Sequence, residues 1–399
     1  MAEVTDFGAI VLLVAAGFAA AILSTRLSER IAIPAPAFFL LAAAVTSEFF
    51  TRLETALPVR TIERITVVAL IVILFDGGAR IGWRRFRVAA LPVATLGIVG
   101  TFATAGILAL AAHFLLGLDW TVAGLVGAAL SPTDPAMMFS VLGGREIVGP
   151  TATILEGESG VNDPVGIALM LGLLDRAQHP GASLLLVGQD FAIGMAVGLV
   201  VGVVGALALV PLVRRVPLSN EALYPLRTLA FAGVVYGLAA VLHGSGFLAV
   251  FIAGILLGDA DVPHKKRIER FHTSLASLAE IVAFVALGLT VDLTDLAHGR
   301  VWLDGLALAF VLVLVARPLA VGPLLAPVRL RAGERIFVIW AGLRGAVPIV
   351  LGMFALLAGV HDGRRIYGIV FVVTAFSVLV QGATIPAAAR WLGIRMRAS

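Results

Sequence analysis

Leu155-Glu156-Gly157-Glu158-Ser159-Gly160-Val161-Asn162-Asp163-Pro164 places three carboxylates in a stretch flanked by apolar residues. On a helix Glu158 and Asn162 are four apart, as are Ser159 and Asp163, so these four side chains form one polar stripe. Pro164 has no N–H for the carbonyl of Gly160, which is expected to loosen the backbone beside the acid. An acid in hydrocarbon costs roughly 2.5 to 3.5 kcal/mol on insertion scales and normally marks an ion or proton path. The same letters would also suit a short polar loop. The apolar run that resumes at Val165 and reaches Leu174 favours a buried helix instead. Oxygen ligands suit hard cations, and a proton competes with a cation for the same carboxylate, so this stripe can load either one.

The rest of the chain has to hold such a stripe inside a membrane. Of its 399 residues 60% are hydrophobic and only 14% charged, with a mean hydropathy of +1.04. Soluble domains average about 25% charged residues, so the composition describes an all-α polytopic membrane protein with no stretch polar enough to fold alone. The net charge of +4 gives no reason to expect nucleic acid, because the basic residues lie in short loops beside apolar segments. The absence of cysteine excludes thiolate metal sites. Met1-Ala2-Glu3-Val4-Thr5-Asp6 lacks the basic start of a secretory signal, so the first apolar run is expected to stay as a span. The 43 glycines suit close helix packing.

A span needs about 20 residues. Thirteen candidates fit: 8–27, 31–50, 62–80, 88–116, 121–142, 150–174, 183–210, 221–242, 246–258, 272–291, 303–325, 335–358 and 366–392. With the N-terminus outside, the inner loops and C-terminal tail hold 19 Lys and Arg residues and the outer loops 7. That bias predicts a cytoplasmic C-terminus. Arg227 lies near a helix end and can snorkel. Arg317 and Arg344 fall inside spans and need partners.

Two spans carry breaks. Ser131-Pro132-Thr133-Asp134-Pro135 interrupts the fifth: Pro132 frees the carbonyl of Ala128 and Pro135 that of Ser131, leaving two half-helices. Asp134 suits an N-cap, with Pro135 opening the second half. The freed carbonyls are expected to point partial negative charge at the midplane. A simple proline kink is the plainer alternative. In the twelfth span, Gly342-Leu343-Arg344-Gly345-Ala346-Val347-Pro348 makes a matching break. Irregular backbone at this depth is tolerated only around a protein-lined or wet cavity. Two interrupted spans at corresponding positions are the mark of an inverted-repeat transporter, with spans 4–6 and 11–13 as the repeated trios.

Gly157 to Pro164 resembles the sixth-helix signature of the monovalent cation:proton antiporters, in the sodium/proton exchanger branch with Asn-Asp at the site. Leu74-Phe75-Asp76-Gly77-Gly78, Ser131 to Pro135, Gly244-Ser245-Gly246-Phe247-Leu248-Ala249-Val250, Gly342 to Pro348 and Val380-Gln381-Gly382-Ala383-Thr384-Ile385-Pro386 extend the resemblance over nearly the whole chain. It implies about 13 transmembrane helices, with transport-core helices in 88–174 and 301–399. These would move against dimerisation or scaffold helices in 1–87 and 175–300, in a homodimer in the cell membrane. It also implies electroneutral exchange of Na+ or K+ for H+ by alternating access. Asp163 then matches the ion- and proton-carrying aspartate. Ser159, Thr133 and Asp134 match positions around the ion, and Asn162 matches the residue that steadies the crossing of the broken helices. Glu158 matches an acid paired with Arg317, and Arg344 matches the arginine of the second broken helix. Related chains often continue into a cytoplasmic ligand-sensing domain; with Ser399 as the last residue, none is expected here.

Other residues have two readings each. Asp76 is either a helix-end acid facing Arg80 and Arg84 or a partner of Arg344 across the domain interface. Glu280 is expected in a cytoplasmic funnel, and His113 and His243 in interfacial packing. No cofactor is expected. A sodium-coupled symporter of an organic anion is the alternative on a related fold, though no extra polar residues near the breaks mark a second substrate. An intramembrane aspartyl hydrolase built on Asp134 and Asp163 would need two equivalent acids without cationic neighbours; Arg317, Arg344 and Asn162 argue against it, so no enzyme is expected. A channel would not need a proton gradient.

Overall fold

The computed structural model describes residues 35–49, 58–142, 145–179, 184–298 and 300–398, together with Ala19. Apart from Ala19, the expected first span, 8–27, lies outside the described residues. The chain runs through α1 (Ala35–Phe49), α2 (Val59–Ala94), a π turn at Thr95–Gly100 and α3 (Thr101–Leu116). The fifth span is two helices, α4 (Trp120–Ala129) and α5 (Pro135–Ser140), followed by a strand, β1 (Arg145–Ile147), and the long α6 (Pro150–Gln178). Then come α7 (Leu184–Arg215), α8 (Leu223–Val241), α9 (Gly246–Gly258), α10 (Lys265–Gly288) and the short α11 (Leu293–His298). The last part comprises α12 (Val301–Val311), a π turn at Leu312–Ala316 and α13 (Arg317–Leu325), then the half-helices α14 (Ala332–Trp340) and α15 (Ala346–Leu357). It closes with α16 (Gly363–Phe376), a π turn at Ser377–Gln381, α17 (Gly382–Trp391) and β2 (Met396–Ala398).

Hydrocarbon offers no partner to backbone N–H and C=O groups, which is why apolar runs of this length become helices. Six described helical runs are long and apolar enough to cross a membrane, and α4, α9 and α15 are shorter apolar helices beside them. Large apolar side chains such as Val88, Phe114, Leu207 and Leu314 point outward, as expected of a multi-pass protein facing lipid.

The third and fourth spans join through a bend rather than a loop. At Gly82 the backbone takes φ of +66°, a left-handed conformation that glycine adopts without strain. The Asp259 carboxylate then accepts the N–H of Arg84 and starts the helix again.

The inverted repeat is visible in matching devices. The first trio is the stretch from the Gly82 bend to α3, the broken pair α4/α5, and α6. The second is α12 to α13, the broken pair α14/α15, and α16 to α17. The first helix of each trio contains a π turn, Thr95–Gly100 and Leu312–Ala316, beside Pro92 and Pro318 respectively. π turns accommodate irregular register and recur at functional sites. The expected loosening at Pro164 is not found: α6 is continuous from Pro150 to Gln178. A two-stranded antiparallel pairing of Arg145 with Ala398 and Ile147 with Met396 ties the loop after α5 to the end of the described chain, extended by the Val148 N–H on Arg395 O at 3.1 Å.

Candidate functional site

The first break forms where the sequence asks for it. α4 stops at Ala129, residues 132–134 are non-helical, and α5 begins at Pro135. The carbonyl of Ala128, freed by Pro132, accepts the Ser131 hydroxyl at 2.9 Å. It is therefore capped by its own turn, and the expected negative end for the midplane is not left open there.

Three groups from α6 grip Thr133. Ser159 Oγ donates to the Thr133 carbonyl at 2.6 Å. Asn162 Nδ2 donates to Thr133 Oγ1 at 2.7 Å, and Asn162 Oδ1 accepts the Thr133 N–H at 3.3 Å. The residue expected to steady the crossing is thus bonded to the break. All three residues are buried. Asp163, next along α6, is 7% exposed. Its Oδ1 is shielded from solvent and has no hydrogen-bond partner among the described residues. A buried oxygen without a donor is costly, and this is the one position among the sequence-predicted ion-site residues where that cost is left standing. Asp163 lies within electrostatic reach of Asp134 and Arg344.

The second break crosses the first. The N–H of Asp134 donates to the carbonyl of Leu343 at 2.8 Å. Gly345 lies against Asp134 so closely that a Cβ there would collide with the Asp134 carboxylate; only glycine allows this approach. α15 opens at Ala346 with Pro348 in its first turn, where a missing N–H costs nothing. Arg344 is completely buried. Its Nη1 donates to Gly342 O at 3.4 Å, while Nε and Nη2 have no hydrogen-bond partner among the described residues.

Glu158 and Arg317 form a two-pronged pair: Arg317 Nη1 donates to Glu158 Oε1, and Nη2 to Oε2 at 3.2 Å. Arg317 Nη2 also reaches Val338 O, near the end of α14, at 3.3 Å. The side chains are 2% and 3% exposed for Glu158 and Arg317. The pair joins the third helix of the first trio to the first helix of the second.

Asp76 is not brought to Arg344. It pairs with Arg80 at 2.6 Å and accepts the Thr273 hydroxyl at 3.3 Å. The reason is spacing: Asp76 and Arg80 are four apart on one helix and meet directly. Glu280, on α10, is half-buried, and its Oε1 is shielded without a hydrogen-bond partner; it lies within electrostatic reach of Asp134 and Arg80. His113 packs flat on Trp120 with ring centres 4.0 Å apart, and Arg227 caps Val216 O at 2.7 Å. Two buried polar residues of the last span, Ser377 and Gln381, touch the second break and were given no role from sequence. The letters show a hydroxyl and an amide four apart in an apolar run, which marks a polar stripe but names no partner for it.

The site is made of oxygen donors: a buried carboxylate with a free oxygen, beside a threonine fixed by its backbone and hydroxyl. Such a set suits a small hard cation or a proton.

A family model for the sodium/hydrogen exchanger transmembrane region matches residues 14–391. The K(+)/H(+) antiporter NhaP of Alkalimonas amylolytica is 38% identical over 391 residues, covering 97% of this chain and 67% of that protein. The K(+)/H(+) antiporter NhaP2 of Shewanella oneidensis is 34% identical over 383 residues, covering 93% and 65%. This chain therefore spans about two thirds of the length of these relatives. The Na(+)/H(+) antiporter NhaH of Halobacillus aidingensis is 29% identical over 368 residues, covering 87% and 88%. The solved structure of the sodium proton antiporter MjNhaP1 from Methanocaldococcus jannaschii at pH 8 superposes with a TM-score of 0.79 at 24% identity, covering 97% of this chain and all of that one.

Proposed function

The chain belongs to the sodium/hydrogen exchanger family, and from that premise we propose that it exchanges a monovalent cation, Na+ or K+, for a proton across a membrane, with Asp163 carrying each in turn. The observation that carries this reading is the buried Asp163 Oδ1, which has no donor and lies on the residue after the one gripping Thr133. A carboxylate in that position is neutralised either by a cation, with Thr133 and Ser159 oxygens sharing its coordination, or by a proton. It cannot hold both, so loading one releases the other. One carrying acid gives one-for-one, electroneutral exchange.

Alternating access follows if 88–174 and 301–399 move as one body against 1–87 and 175–300. In support, the Glu158–Arg317 pair and the Asp134–Leu343 bond both join the first trio to the second. The basic bias of the inner loops supports an outside N-terminus and a cytoplasmic C-terminus. A homodimer through the scaffold helices in the cell membrane completes the reading. The named relatives are antiporters for K+ in two cases and Na+ in another, which favours exchange over symport of an organic anion and leaves either cation as substrate.

The test is cation-induced dequenching of a pH dye in proteoliposomes, with sodium, potassium and lithium run in parallel. Dequenching by at least one cation, lost in Asp163→Asn, is the expected result. Dequenching by none, or full activity in Asp163→Asn, overturns the proposal.

A further inference from the structure

The second break is stapled by side chains from the last span. Ser377 Oγ accepts the N–H of Arg344 at 2.9 Å and donates to Gln381 Oε1 at 2.9 Å. Gln381 Nε2 donates to the carbonyl of Trp340, the last residue of α14, at 2.6 Å. The amide orientation follows from its partners: a carbonyl can only accept, so the NH2 must face Trp340 and Oε1 the hydroxyl. Ser377 and Gln381 are 1% and 2% exposed, and they bound the π turn that interrupts this span.

This repeats the first break. There Ser159 and Asn162, on the third helix of the first trio, bond the backbone of Thr133. Here Ser377 and Gln381, on the third span of the second trio, bond Arg344 and Trp340. The Asp134–Leu343 bond connects the two staples into one chain of contacts, from Asn162 through Thr133 and Asp134 to Leu343, Arg344, Ser377 and Gln381. The copies differ at the next residue. Asn162 is followed by Asp163, and Gln381 by Gly382, so the second staple has no acid after its amide.

We propose that Gln381 and Ser377 are positioning residues for the cation site: they fix the second break so that Leu343 holds Asp134, and with it Thr133, where Thr133 shares a cation with Asp163. The inference rests on the reading of Asp163 as carrier. Gln381→Met keeps the volume and removes both amide contacts. Cation KM in that variant rises about tenfold, the equilibrium worth of one buried hydrogen bond, while the rate at saturating cation stays within about threefold and the change of KM with pH keeps its slope, because Asp163 is untouched. Ser377→Thr keeps the hydroxyl and a KM near that of the unmodified protein; Ser377→Val, of the same shape, raises KM as Gln381→Met does.

The measurement is cation KM and maximal rate in proteoliposomes for the three variants, with Asp163→Asn alongside. If Gln381→Met and Ser377→Val lose thermal stability but keep the unmodified KM, the pair is only structural and the inference falls. If Gln381→Met does not assemble, the Ser377 pair decides alone, and equal KM values for Thr and Val overturn it. Exchange surviving in Asp163→Asn removes the carrier reading instead, whatever the Gln381 result.

Discussion

Glu158 and Asp163 lie on the same unbroken helix, about 7.5 Å apart along its axis, and both are buried. Both oxygens of Glu158 are taken by Arg317, which is itself fixed to the carbonyl of Val338. Asp163 has an oxygen with no donor and an electrostatic neighbourhood that includes Asp134 as well as Arg344. Burial is the same at the two places, and the counter-ion is not. An acid with a resident cation has no reason to exchange it, since separating a buried pair leaves two unpaired charges. An acid without one is stable only while something mobile neutralises it. The difference supports the proposal that Glu158 serves structure and Asp163 carries the transported ions.

The largest effect comes from removing that difference. Asp163→Asn replaces the titrating group with an amide that cannot trade a proton for a cation. Exchange in proteoliposomes falls to the level of empty liposomes, while the thermal unfolding midpoint in detergent is unchanged or higher, because a buried oxygen without a donor has been replaced by a neutral group. A variant that is inactive only because it is unfolded would not support the contrast.

The next effect is on stability. Breaking a buried pair by removing one partner costs about 3–5 kcal/mol. Arg317→Ala therefore lowers stability by that order, and Glu158→Gln in the same background recovers part of it. If the two losses simply add in this cycle, the side chains do not interact in the folded protein.

Much of this was readable from letters. The prolines at 132 and 135, and the Gly-rich break before Pro348, announce half-helices because a missing N–H cannot be hidden inside an apolar run. The stripe of Glu158, Ser159, Asn162 and Asp163 follows from helical spacing alone. The Glu158–Arg317 contact spans 159 positions and came from family resemblance; nothing local encodes it. The Ser377–Gln381 staple was missed because polar residues that bond backbone carry no partner signal in a single sequence. The pairing of Arg145–Ile147 with Met396–Ala398 was missed because strands of three residues have no periodicity to read. Asp76 shows the opposite case: its partner was four residues away, and the nearer of its two readings is the one the structure holds.

A smaller effect tests whether Asp163 alone carries both ions. If proton and cation compete for one carboxylate, cation KM rises tenfold for each unit of pH below the carboxyl's apparent pKa and is flat above it. Maximal turnover then traces a bell, since protons are scarce at high pH and cations cannot load at low pH. A KM that does not change across the active range would mean separate sites for the two ions, and the contrast between Glu158 and Asp163 would no longer explain the transport step.

The smallest effect concerns Asp76 and Arg80, an acid–base pair lying between the two extremes. The Asp76 side chain is 5% exposed, whereas that of Arg80 is 54% exposed. Loss of the acid leaves a guanidinium that water already reaches, and a half-exposed pair contributes only about 0–1 kcal/mol. Loss of the base leaves a buried carboxylate whose remaining side-chain hydrogen-bond partner among the described residues is the Thr273 hydroxyl, and an under-satisfied buried group costs about 1–3 kcal/mol. Asp76→Asn should therefore destabilise less than Arg80→Gln, an asymmetry absent from Glu158 and Arg317, where both partners are buried. Thermal unfolding midpoints of the two single variants decide it. Equal losses would place Asp76 with Glu158 as an acid locked to its base on both sides. A larger loss for Arg80→Gln would show that what separates the acids of this protein is the solvation of the partner as well as its presence.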